Sequence, residues 1–394
     1  IWAGSNDGLL HVTRDGGSTW TEVGKNIPDL PEWGTISNVE ASPHYAPKAY
    51  VTIDFHQMND RDPYVFKTTD GGQTWTSIAK GIPRSVFSYC HWIHEDPVRA
   101  GMLFLGSENA IYLSLDDGES WIPFQSNLPH APVHHMTVQE HFDDLVVATY
   151  GRGFWIMDDV TPLRQLTEPV MEQDAHLFLP RRANYRMHSI TGGPPVRNRA
   201  FLNYWLRRKP EGDVTLTITD PAGRTVRTMK GSTKPGINRV TWDLTYERAR
   251  QAKLRINPPG NPRVVEEKRF RETWEREGWY PILSWGTGGG FAGIRVAPGT
   301  YTVTLSVDGV EQTRELAISK DPRSAGTVAN VWELVEMQLA LREDINACTD
   351  LVNAMEWTRR QLADLRTRLA GDDELTDLVE AAKTLDAKIA AIED

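Results

Sequence analysis

Acidic, basic and imidazole side chains crowd one short segment, DFHQMNDRDP, which holds Asp54, His56, Asp60, Arg61 and Asp62. Carboxyl groups of this kind do general acid–base or nucleophilic work when two flank a glycosidic bond. Retention of configuration needs them ~5–5.5 Å apart and inversion ~6.5–9.5 Å apart. Asp7, Asp60, Asp62 and Glu108 are the carboxylates to consider for such a pair. Asp54 reads instead as a strand-end residue and, with His56, Arg61, His134, Tyr150 and Arg152, as a ligand contact. Arg152 can clamp an anionic group or serve a structural salt bridge. His134 and His135 are adjacent, so on a strand they face opposite ways. As a metal pair they lack a third ligand at recognised spacing. Cys90 and Cys348 stand alone, outside any CxxC pattern. Gly286, Gly288, Gly289 and Gly290 form no phosphate loop, because no P-loop lysine accompanies them. The expectation is therefore no metal and no cofactor.

What positions these residues is a repeat. TRDGGSTW (Thr13 to Trp20), TTDGGQTW (Thr68 to Trp75) and SLDDGESW (Ser114 to Trp121) are three versions of one octet. Asp15, Asp70 and Asp116 lie 55 and 46 residues apart, the span of one four-stranded propeller blade. Alternating β-formers flank each copy, as in KAYVTID, YVFKTTD and GMLFLGS. The octet is a strand–turn–strand joint. Its aspartates accept N–H bonds across the turn. Gly17, Gly72 and Gly118 permit the turn backbone. Trp20, Trp75 and Trp121 are expected to plug the blades. The pattern is that of the Asp-box or BNR repeat, and it marks architecture rather than catalysis. IWAGSN aligns with second strands, so the first blade is expected to lack its inner strand. A fourth blade, PVHHMTVQEH to FWIMDDV, follows without the octet.

Residues 1–167 are thus expected to be the C-terminal blades of a partial β-propeller, and 168–183 a linker. Residues 184–325 read as a fibronectin- or immunoglobulin-like β-sandwich, with DVTLTITD, INRVTWDL and a hairpin hinged on Asp308-Gly309. An insertion, 246–291, interrupts it as a solvated helix and loop or as an arm docking on the propeller or a partner. Residues 326–394 turn helical. Val331, Leu334, Gln338, Leu341, Ile345, Cys348, Val352 and Met355 form a stripe expected to be a helical-hairpin seam, with Asn330 and Glu333 capping its start. The fold class is mainly β with a C-terminal α-helical hairpin.

LVVATYGRGFWIMDDVTPLRQL after Asp-box blades, with GINRVTWDLTY, APGTYTVTLSVDG and SKDPR downstream, resembles a family of bacterial secreted proteins. They carry sortilin-like BNR propellers and are commonly labelled glycosyl hydrolases. The resemblance implies an extracytoplasmic, periplasmic or secreted protein. It also implies that the N-terminal remainder of the propeller, in the same polypeptide or a separate fragment, is a partner. A net charge of −10 argues against a general nucleic-acid binder. No apolar run approaches the ~20 residues of a membrane span. The propeller face opposite the Asp-boxes is expected to bind a glycan or peptide; the alternative is a glycoside hydrolase using two carboxylates of that face.

Overall fold

The computed structural model describes residues 1–185, 199–258, 261–282 and 293–393. The glycine cluster from Gly286 to Gly290 lies outside them. The chain divides into two units, Ile1–Phe178 and Leu179–Asp394. The division falls inside the segment expected as a linker, which itself holds a short helix and a strand.

The first unit is a series of antiparallel sheets. Strands β1 (Trp2–Gly4), β2 (Leu10–Val12) and β3 (Thr21–Glu22) form the first. Strands β4 (Thr35–Ala41), β5 (Ala49–Asp54), β6 (Tyr64–Thr68) and β7 (Thr76–Ser77) form the second, and β8 (Cys90–Glu95), β9 (Leu103–Ser107), β10 (Ile111–Ser114) and β11 (Ile122–Pro123) the third. The fourth holds β12 (Val133–Gln139), β13 (Asp144–Thr149) and β14 (Gly153–Met157). Helices α1 (Thr161–Gln165) and α2 (Glu168–Met171) and strand β15 (Ala175–Leu177) close the unit. β1 pairs with β2 antiparallel, as β5 does with β6.

Alternation explains how the sheets stack. Val51 and Phe66 turn one face of the second sheet toward Leu10, Val12 and Val23 of the first. Tyr50 and Val65, one residue earlier on the same strands, turn the other face toward Ile93, Leu103 and Leu105 of the third. Phe104 and Leu113 then meet Val133, Met136 and Val147 of the fourth. A sheet buried on both faces has no polar alternate positions, which is why LFLGS of β9 is buried throughout.

The octet tryptophans correct one expectation. Trp75 inserts toward the preceding sheet among Val12 and Val23, and Trp121 donates its indole N–H to Ile78 O of the preceding sheet at 2.6 Å. Trp20 sits on the first sheet, which has no preceding sheet among the described residues. It is 45% exposed and plugs nothing.

In the second unit, β16 (Ala183–Tyr185), β17 (Ala200–Leu206), β18 (Thr215–Thr219), β19 (Thr225–Lys230) and β20 (Gly236–Trp242) are followed by β21 (Lys253–Leu254), α3 (Lys268–Glu277) and β22 (Tyr280–Pro281). The unit ends with β23 (Gly299–Val307), β24 (Val310–Lys320), α4 (Val328–Arg368) and α5 (Thr376–Glu393). A five-stranded sheet runs β16-β24-β23-β18-β19, and β17 pairs with β20. The β23–β24 hairpin turns on Asp308 and Gly309, both at positive φ, as an Asp-Gly two-residue turn requires.

The insertion packs on its own chain. Val264, Phe270 and Tyr280 make a small core. Arg250 pairs with Asp350 at 2.7 Å, and the backbone N–H groups of Arg250 and Lys253 donate to Asn346 and Asn353 of α4. This contact moves the helical seam. The buried residues of α4 include Val335, Leu339, Asn346, Thr349 and Glu356. Leu334, Leu341 and Ile345 of the expected stripe are exposed and line a groove of about 390 Å³ with Arg248, Gly293 and Arg295. The hairpin forms farther along, where Arg359 and Arg366 reach Asp386 of α5. The start of α4 is capped by Thr327 and Asn330 rather than by Asn330 and Glu333.

Candidate functional site

The octets join the last two strands of the first three sheets, at β2–β3, β6–β7 and β10–β11. Antiparallel pairing places the preceding loops, β1–β2, β5–β6 and β9–β10, and with them β13–β14, at the other end of each sheet. Those loops follow Gly4, Asp54, Ser107 and Thr149.

Each complete inner strand enters this loop end through the same irregularity. Register slips between Ile36 and Asn38 in β4, between Cys90 and Trp92 in β8, and between Val133 and His135 in β12. The residue left over is Ser37, His91 or His134. A bulge residue opposes no partner and is re-aimed out of the pleat alternation. In the second sheet Ser37 donates to backbone oxygens, Thr52 O and Cys90 O, at 3.0 Å. In the third and fourth, His91 and His134 stack on one another across the sheets, with ring centroids 4.4 Å apart and planes at 23°.

This stack is the centre of a row of rings. His56 lies on Tyr89 at 4.9 Å, Tyr89 meets His91 edge-on at 5.3 Å, and His134 is followed by Tyr150 at 5.6 Å. The row crosses three sheets. Its far end is open: His134 is exposed and Tyr150 is 73% exposed. Two carboxylates flank it. Asp54 accepts from the His56 ring at 2.7 Å and from the His56 backbone N–H at 2.8 Å. Glu108 bonds the His91 ring at 2.8 Å, and its backbone N–H donates to Tyr89 O at 3.1 Å. Burial, then the hydrogen bond to Glu108 and the charges of Glu108 and Asp54, push the Tyr89 phenol up to about 12. It stays a hydrogen-bond donor. His134 is exposed overall, but water lost where its ring stacks on its neighbours, and next the charge of His91, lower its pKa, which favours the neutral form. Burial raises the Cys90 thiol far above its usual value, so this residue is an inert core group rather than a nucleophile.

Among the residues expected from sequence, the structure gathers Asp54, His56, Glu108, His134 and Tyr150. Arg61 donates to Val86 O at 3.2 Å beside the Tyr89 loop. Others are used elsewhere. Asp60 accepts from the Tyr64 hydroxyl at 2.7 Å and from the Asp62 N–H at 3.0 Å, while Asp62 pairs with Arg84 at 2.8 Å. Asp60 thus folds the long loop on itself, and Asp62 ties it to the segment that leads into β8. Asp7 bonds the Ser5 hydroxyl within the β1–β2 turn. Arg152 is exposed on the β13–β14 turn, where its carbonyl accepts from Trp155. His135 leaves the row and packs at a tilt of 39° against Trp92, with ring centroids 4.1 Å apart.

Tyr89 and His91 went unassigned in the sequence. Superposing the segments ISNVEA, CHWIHE and VHHMTV would have aligned Ser37, His91 and His134, but strict alternation gives no reason to do so. The partners that His134 lacks in sequence come from other strands. One ligand atom each from His91, Glu108 and His134 lies within 4.8 Å of the others.

No protein-family model matches the chain, and no curated protein does. Solved structures similar to it include a GH74 xyloglucanase from Xanthomonas campestris, at 14% identity and TM-score 0.31, covering 80% of this chain. Another is the GH74 enzyme of Niastella koreensis, at 10% identity and TM-score 0.32, also covering 80%. A third is the extracellular domain of a putative hybrid two-component system from B. thetaiotaomicron, at 10% identity, TM-score 0.27 and 82% coverage. The chain spans 43% of the length of each of the first two and 37% of the third.

Proposed function

We propose that the chain belongs to an exported Asp-box β-propeller that binds a glycan on its loop end, with the sequence 184–325 as an accessory β-sandwich. The row of rings from His56 to Tyr150 carries this reading. Sugar rings present apolar C–H faces and hydroxyl rims. A stepped aromatic surface edged by Asp54, Glu108 and Arg61 offers contacts to both. A peptide would be expected to want an exposed strand edge or an apolar pocket; the row has neither.

Two open faces support further blades on either side. Trp20 is uncovered on the first sheet. On the fourth, Phe154 and Ile156 are 80% and 63% exposed while Trp155 and Met157 pack inward.

Glycoside hydrolysis is the second reading. Glu108 supports it, because its carboxylate lies at the row, 2.8 Å from the His91 ring. A partner acid is harder to find, since Asp60 is engaged by Tyr64 and Asp62 by Arg84. A panel of glycans and peptides, scored for both retention and cleavage, tests the proposal. Retention of a glycan without turnover supports it. Turnover lost in Glu108→Gln would favour the hydrolase, and retention of peptides alone would overturn both.

A further inference from the structure

The same bulges that build the ring row also assemble a ligand set. We propose that His91, Glu108 and His134 form a binding site for a divalent transition cation of the zinc class. This does not rest on glycan binding.

Three observations converge. First, the donor set is two imidazoles and one carboxylate, which suits zinc over calcium or magnesium, whose ligands are oxygens. Second, the three ligand atoms lie within 4.8 Å of one another. Tetrahedral coordination at ~2.0–2.2 Å brings ligand atoms somewhat closer than that, so small side-chain rotations suffice. The His91 ring and Glu108 are already 2.8 Å apart, with a proton between them whose place the metal takes. Third, the ligands come from β8, the β9–β10 turn and β12, and are held from behind. Tyr89 O accepts from the Glu108 backbone N–H at 3.1 Å, and Thr52 Oγ1 donates to His91 O at 3.3 Å. Outer contacts of this sort orient metal ligands.

The burial is graded. His91 is 11% exposed and Glu108 24%, while His134 is open to solvent. Three protein ligands with one face open leave a fourth position for water or an oxygen of a bound molecule, the arrangement of a zinc site that exchanges ligands. His135 faces Trp92 and contributes nothing.

The test uses the 394-residue chain, stripped with a chelator and titrated with Zn²⁺ alone by calorimetry, with Ca²⁺ titrated in parallel. The expected result is one Zn²⁺ per chain and no comparable Ca²⁺ binding. His134→Ala, at an exposed position, and Glu108→Gln should each weaken Zn²⁺ by about 100-fold or more. His135→Ala should bind as the wild type does. Circular dichroism confirms that each variant is folded. Co²⁺ offers a second readout: a tetrahedral visible spectrum in the wild type that His134→Ala loses. Absence of stoichiometric Zn²⁺ binding would overturn the proposal. So would His134→Ala and Glu108→Gln variants that bind Zn²⁺ as the wild type does, or equal affinity for Ca²⁺.

Discussion

At the octet end of the sheets, three turns carry the same bonds to within 0.1 Å. In each, a Thr or Ser hydroxyl accepts the Gly N–H at 2.9 Å and donates to the Asp at 2.7–2.8 Å. The Asp then accepts from the next Thr or Ser through both N–H and O–H. At the loop end, three equivalent bulges carry Ser37, His91 and His134: Ser37 bonds backbone oxygens, whereas the two imidazoles stack on one another. Both ends are products of the same repeat. Where geometry and chemistry repeat together, the residues serve the scaffold. Where the geometry repeats and the chemistry changes, the residues are free of the scaffold's demands, and the proposed site is placed there.

The largest effect should come from crowding the scaffold. Gly72 is at φ +85°, and a Cβ there would lie 2.8 Å from Val23. Gly72→Ala should cost about 3 kcal/mol, combining left-handed strain with an overpacked core. Gly16→Ala, at φ +73° with open space around it, should cost about 1 kcal/mol. Urea midpoints read both. Equal losses would deny that these turns are packed against the neighbouring sheet.

Next comes Thr68→Val, which keeps the shape but removes the acceptor of the buried Gly72 N–H. A loss of about 2 kcal/mol is expected. Ligand binding at the loop end should be unaltered.

Tyr150→Ala reverses the pattern. The side chain is 73% exposed, so the urea midpoint should hold, while glycan affinity falls about tenfold, a loss of about 1.4 kcal/mol.

The smallest effect is a pH dependence. The Thr74 hydroxyl and N–H, with Thr68, hold Asp70 at about 2, against burial, from an ordinary 3.8. A carboxyl lowered on folding stabilises the fold above its ordinary pKa and loses that contribution as pH falls toward the folded value. The stability gap between wild type and Asp70→Asn should therefore be full at pH 5 and narrow between pH 4 and 2. A gap that widens on acidification would contradict the hydrogen-bonding role.

The contrast also explains what the sequence discloses. The octet is legible because every bond in it is local: Thr68, Asp70, Gly72 and Thr74 meet within seven residues. The bulges are not, because a register slip depends on the partner strand. Alternation sent His134 and His135 to opposite faces without saying which would meet His91, more than forty residues away. The helical period of α4 was equally plain, but its buried side was not. The insertion decides it by docking on Asn346, Asn353 and Glu356. Trp20 shows the same limit, since whether a plug is buried depends on the sheet it faces.

The most direct test compares one glycan, taken from the panel, on Thr68→Val and Tyr150→Ala, with affinity and urea midpoint measured on each. The account predicts a double separation: Thr68→Val loses stability and keeps affinity, and Tyr150→Ala loses affinity and keeps stability. Undiminished affinity in Tyr150→Ala, or lost affinity in a folded Thr68→Val, would contradict it.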